Sequence, residues 1–382
     1  MTGVGMHTPR RSAVREWLAA VGTILVKELR SRMRGRRAFA VLTVYLAILA
    51  LIAYGVYAVV APGARQAAGF GGVGFGPFGP MVTNPSATIG QWIFTLLSIF
   101  QLILVMFIAP AFTAGQISLE REKQTLDLLI STPLRPGAIV VGKLLAALAY
   151  VFLLIVAAIP ITAIVLMYGG ASWEDIVRQQ IVLFAAAIGF GAVGLFFSAL
   201  FKRTQAATVL TYCTVLAFTL GTVLIFIFWS VMAARGEDGG FRRARRAPEQ
   251  VMWVNPMVAM LDVIAPLDPT GFGVTSVLGQ INGERFDDQG VICRGDVCFG
   301  NDGQPAPALD QSFFDGHWWP RFTATFGVLA LLLTLASMRL VVPAGMRFAF
   351  RRRRRAPPAE PRQVLVAGDG TPTIEELAEP PR

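Results

Sequence analysis

Six long apolar runs leave this chain almost no choice of fold class. They lie near residues 39–61, 92–114, 139–168, 176–200, 206–233 and 321–342. About 20 residues at about 1.5 Å each cross the roughly 30 Å hydrocarbon layer of a bilayer. The reading is an all-α integral membrane protein with six transmembrane helices. Composition agrees: 54% of the 382 residues are hydrophobic and 15% are charged, where soluble domains carry about 25%. No Asp or Glu falls inside any run, while Pro110 and Pro160 do. A proline removes one helical donor, so kinks are expected at both.

The net charge of +10 could suggest nucleic acid, but its distribution follows the membrane instead. With six spans, 24 of the 34 Lys and Arg fall on the side of the two termini. The positive-inside rule then puts both termini in the cytoplasm, in a cell (inner) membrane. Residues 1–38 are basic, and Trp17, Val21, Ile24, Leu25 and Leu29 recur at helical spacing with Lys27 and Glu28 among the charged positions. That pattern predicts an amphipathic helix lying in the membrane interface, with a solvated basic arm as the plainer reading. The spans form one six-span domain, 39–342. Its largest outer loop, 234–320, contains an apolar stretch at 251–267 broken by Pro256 and Pro266, suited to a re-entrant or interfacial helix. The tail, 343–382, is basic and then Pro-rich, and reads as disordered.

Several motifs tempt and fail. GAIVVGKL at 137–144 lacks the Ser or Thr that a phosphate-binding loop needs after its lysine; Lys143 reads instead as snorkelling from the start of a span. GFGAVG at 189–194 matches a dinucleotide fingerprint but sits mid-span, where Ala187, Gly191, Gly194 and Ser198 give the small-residue spacing of close helix packing. With only His7 and His317, no histidine-based catalytic or metal site assembles in the membrane, and no catalytic or metal-binding residues are assigned. Cys293 and Cys298 could form an outer disulfide or remain two thiols. The intramembrane threonines (Thr162, Thr208, Thr211, Thr214, Thr219, Thr222) are expected to bond their own or a neighbouring helix rather than line a path.

What remains unexplained is the charged stretch 119–133, LEREKQTLDLLISTP, between the second and third runs. As one helix it would align Leu119, Leu126 and Ile130, with Leu129 beside them. Asp127 would stand four residues after Lys123, a supporting spacing. Such a helix has one face for apolar surface and another to offer a partner.

The basic N-terminus VKELRSRMRGRRAF, this charged segment with Ser131-Thr132-Pro133, the turn LFKRTQAATVLTY and the Asn255-Pro256 pair together resemble an ABC transporter permease of the type 2 exporter (ABC-2) class. The resemblance covers about three quarters of the chain. It implies a cytoplasmic coupling helix through which Leu119, Glu120, Arg121, Glu122, Lys123, Thr125, Leu126 and Leu129 meet a separate ATP-binding subunit, which the N-terminal amphipathic helix also touches. It also implies a second permease copy or paralogue, export as the direction of transport, and ATP and magnesium on the partner rather than on this chain. Gln124 stands where a glycine is common in the family. Two other classes stay open: an ion-coupled secondary carrier, against which the missing intramembrane carboxylates count, and a membrane scaffold without transport. The bilayer is the remaining partner, with no nucleic acid.

Overall fold

The computed structural model describes residues 21–23, 25–26, 36–69, 73–76, 79–82, 85–125, 136–235, 249–265, 285–286, 292–294, 297–299, 305–306 and 318–341. Among them are six helices long and apolar enough to cross a membrane: Phe39–Gly63, Ser86–Glu122, Gly137–Tyr168, Trp173–Leu200, Thr204–Trp229 and Trp318–Val341. Helices are the only open-ended way to satisfy backbone donors in lipid, so the fold class follows from the sequence. Strands among the described residues lie between spans, in a hairpin of Val73–Gly76 with Gly79–Val82 and a small antiparallel sheet within 285–306. A second unit, Val342–Arg382, lies outside the described residues, as do the expected tail and, at the other terminus, Trp17, Ile24, Lys27 and Glu28. Val21–Thr23 and Leu25–Val26 are helical, with Val21 buried and Val26 exposed.

The fourth span is the axle of the bundle. It buries 67% of its most apolar window, against 17% for the first and the fifth. Its glycines explain why. A side chain on Gly189 would collide with the Phe326 ring of the sixth span, and one on Gly191 would lie 2.7 Å from Leu148 of the third. At Gly194 it would strike Thr113 of the second. The GFGAVG stretch therefore serves close packing on three neighbours, as its spacing predicts.

The second and fourth spans also share a buried amide pair. Gln179 Nε2 donates to Gln101 Oε1 at 3.1 Å, and both residues are almost fully buried. The threonines behave as expected: Thr162, Thr208, Thr211, Thr214, Thr219 and Thr222 each donate a hydroxyl to a carbonyl three or four residues earlier.

Proline acts differently at its two sites. The second span's helix, Pro85–Thr113, continues through Pro110. The third breaks into Pro136–Ala157 and Ile159–Tyr168, with Pro160 in the first turn of the second piece. That piece ends at Gly169, which takes the left-handed φ of 71° typical of a helix C-terminus. Gly170 then presses on the backbone of the second span: a Cβ there would sit 2.6 Å from Gly90 Cα. The fourth span restarts with a capping box, in which Ser172 Oγ accepts from Asp175 N at 3.3 Å and Asp175 Oδ2 accepts from Ser172 N at 2.9 Å.

At this same end the described part of the apolar stretch, 249–265, folds as a 3-10 turn, Glu249–Val254, and a short helix, Pro256–Ile264. Thr325 of the sixth span donates to Trp253 O at 3.0 Å. Asp262 Oδ2 accepts from the first amides of the sixth span, Trp318 N at 2.7 Å and Trp319 N at 3.1 Å. Asn255, between the two pieces, reaches the fifth span at Thr219 and Thr222, near the middle of its length. The segment thus enters the bundle and returns.

Candidate functional site

The opposite end of the bundle carries the segment that follows the second span. After Thr113 the chain makes a turn and then the short helix Ser118–Glu122. One continuous helix over 119–130 does not form. Its start is closed off by a C-terminal motif in which Thr125 N donates to Glu120 O at 3.0 Å and Gln124 N donates to Arg121 O at 3.2 Å. These are the two reversed bonds of a Schellman ending. Leu126, Leu129 and Ile130 lie outside the described residues.

That ending places Gln124 at φ 55°, the only positive φ of a non-glycine among the described residues. An L-residue pays about 1–2 kcal/mol for this left-handed region, and glycine does not. The glycine that the resemblance implies at this place would avoid that cost. Gln124→Gly is expected to raise the thermal midpoint of the purified protein, by about 1 kcal/mol in stability. A Gln124→Val variant, β-branched, should lower it. Equal midpoints for all three would remove the strain argument.

Three different spans hold the segment. From the fourth, the fully buried Ser198 Oγ accepts from Ile117 N at 2.8 Å and Ser118 N at 3.0 Å, and donates to Ser118 Oγ at 3.3 Å. From the third, Lys143 Nζ meets Glu120 Oε1 at 2.6 Å and Gln116 O at 3.5 Å. From the fifth, Thr204 N donates to Glu122 Oε1 at 2.7 Å. A carboxylate at a helix N-terminus satisfies an otherwise orphaned amide and opposes the helix dipole.

One sequence expectation changes. Lys143 does not snorkel to solvent: its side chain is 5% exposed, because the second-span segment brings a carboxylate to it. Glu120 and Glu122 each also bond a neighbouring span, and Glu122 stays exposed. Leu119, 43% exposed, and Glu122, Lys123, Gln124 and Thr125 form the open part of the segment. The Glu122 bond sets them beside the turn between the fourth and fifth spans, where Lys202, Arg203 and Gln205 are also exposed. Arg121 is half-buried.

Ser198, Lys143 and Thr204 were absent from the partner-facing set drawn from the sequence. Ser198 was visible only as half of a small-residue pair with Gly194. Nothing local shows that its oxygen will meet two amides 80 residues away. Strand register sets Cys293 directly opposite Cys298.

No curated protein sequence matches the chain. A family model does: the one described as ABC-2 family transporter protein matches residues 22–342. With six membrane-crossing helices and a match over well above half its length, the chain belongs to the ABC-2 transporter family as a multi-pass membrane permease.

Proposed function

We propose that this permease is the membrane subunit of an ATP-driven exporter, and that the segment around 119–125 receives the stroke of a separate ATP-binding subunit. The family implies such a partner. ATP and magnesium belong on that partner, and the working complex holds a second permease, identical or related. Both termini and the segment face the cytoplasm of a cell (inner) membrane, consistent with the Lys and Arg count. The N-terminal amphipathic helix lies against the same face.

One observation carries the coupling reading: the segment is tied to the third, fourth and fifth spans by Lys143, Ser198 and Thr204. A push on it cannot move the second span alone. Such multiple attachment suits a lever that shifts a bundle between inward- and outward-facing states. The contact surface offered to the partner is Leu119 with Glu122, Lys123, Gln124, Thr125 and the Lys202–Arg203 turn, an apolar anchor set among charges of both signs with a positive excess, with the apolar part supplying affinity and the charge the register.

Leu119→Asp with Lys123→Glu spares every bond that holds the segment. In a mild-detergent pull-down of the complex it is expected to retain at least tenfold less ATP-binding subunit, a loss of about 1.4 kcal/mol, with unchanged insertion. Wild-type recovery of an ATP-hydrolysing partner by this variant would refute the surface. Absence of any such partner from the wild-type pull-down would refute the coupling reading.

A further inference from the structure

The fifth span is not a uniform helix. Thr204–Leu216 and Thr222–Arg235 are α-helical, and between them Ala217–Gly221 is a π turn. Thr222 N donates to Ala217 O, five residues back, where an α-helix would have it donate to Phe218 O. The carbonyl so released is taken by a side chain: Thr222 Oγ1 donates to Phe218 O at 2.8 Å. That hydroxyl is itself held, since Asn255 Nδ2 donates to Thr222 Oγ1 at 2.8 Å and to Thr219 O at 3.0 Å.

Asn255 has no spare polar atom for other duties. Its Oδ1 caps the re-entrant helix, accepting from Met257 N at 2.8 Å and Val258 N at 3.4 Å, and the residue is fully buried. Crowding at Gly221 does not force the π turn: a Cβ there would meet nothing nearer than Ala217 Cβ at 3.8 Å. The wide turn is bridged by the chain of donors from Asn255 through Thr222 to Phe218, reaching in from the re-entrant segment. Single π turns inside α-helices are rare and occur frequently at functional sites.

We infer that Asn255 is a positioning residue for the transport cycle. Its amide holds the fifth span in the π register. Withdrawal of the re-entrant segment lets Thr222 N return to Phe218 O, and the turn relaxes to α-helix. One residue of register corresponds to about 100° of rotation, so Thr222–Arg235 turns by that amount relative to Thr204–Leu216. The exposed apolar face beyond the hinge, Leu224, Ile227 and Phe228 among it, is re-aimed in the same motion. The role in transport rests on the permease reading, but the register itself can be measured without the ATP-binding subunit, so the two can fail separately.

The experiment is a spin-label scan of the full chain in lipid nanodiscs, with single labels through 207–215 and through 223–229. Oxygen accessibility should oscillate with helical period in both windows. In the wild type the second pattern is expected to be offset by about 100° from a continuous α-helix. Asn255→Ser keeps an N-cap acceptor and loses the amide donor; the offset should fall to near zero. Thr222→Val, which removes the relay hydroxyl without touching the cap, should do the same and covers the case in which the Asn255 variant does not fold. An offset unchanged in the variant that folds overturns the inference, as does its absence in the wild type. A purely structural Asn255 would lower stability and leave the offset where it was.

Discussion

Replacing Glu120 by alanine is expected to be among the most damaging single changes in this protein. Its carboxylate lies 2.6 Å from Lys143 Nζ, and the lysine side chain is 5% exposed while the glutamate is 26% exposed. Removing the carboxylate strips the more deeply buried partner of this countercharge. Breaking a buried pair from one side costs about 3–5 kcal/mol, and the partial exposure of Glu120 places the expectation at the low end, about 3 kcal/mol. Lys143→Met should cost less, because the glutamate left behind reaches water. The combination Glu120→Leu with Lys143→Met, apolar on both sides, should recover much of the stability. Thermal unfolding of the purified permease checks the order: Glu120→Ala lowest, Lys143→Met intermediate, the pair near wild type. A Glu120→Ala protein as stable as wild type would show that the ion pair does not hold the segment. On the coupling reading, ATP hydrolysis by the assembled complex continues in Glu120→Ala while transport falls, since the segment's anchor on the third span is gone.

Gly170→Val should do comparable harm at the other end, for a different reason. A Cβ at this position falls 2.6 Å from Gly90 Cα and closer still to Gln91 N. These are backbone atoms and cannot step aside as a side chain would, so the second span must move away from the turn between the third and fourth. Overpacking typically costs about 1–3 kcal/mol, and a branched side chain against main chain belongs at or above the top of that range. Gly327→Ala is the matched control: nothing lies within 4 Å of the added carbon, and alanine is the better helix former by about 1 kcal/mol. Its thermal midpoint should equal or exceed that of the wild type, while Gly170→Val should yield little monodisperse protein. Normal yield and midpoint for Gly170→Val would mean that the two backbones are not in contact.

How much was legible beforehand differs by residue. The six spans were, because an apolar run long enough to cross lipid has only the helix open to it. The glycines of GFGAVG were legible as packing positions, although their three separate neighbours were not. The charged stretch at 119–125 stood out because it interrupts apolar sequence. Periodicity, however, carried the expected helix past Gln124, since a glutamine gives no stop signal. The termination depends on the reversed hydrogen bonds from Thr125 and Gln124, and the strained φ is tolerated because both bonds form. Glu120 and Glu122 look identical in sequence terms to any solvent-facing pair. Their engagement by Lys143 and Thr204 arises from contacts across 23 and 82 residues of chain, a range over which no local pattern carries information.

By itself, then, the sequence determined class, span count and the place of the charged segment, because hydrophobic length and charge are summed along the chain and need no partner to be read. The tertiary structure alone decided which polar groups meet. Ser198 finding two amides, Lys143 finding Glu120 inside the bundle and Asn255 finding the fifth span's wide turn all depend on how helices are set side by side. In a low-dielectric interior each such group must find a partner or bear the cost of desolvation, so packing chooses the pairs after composition has chosen the helices.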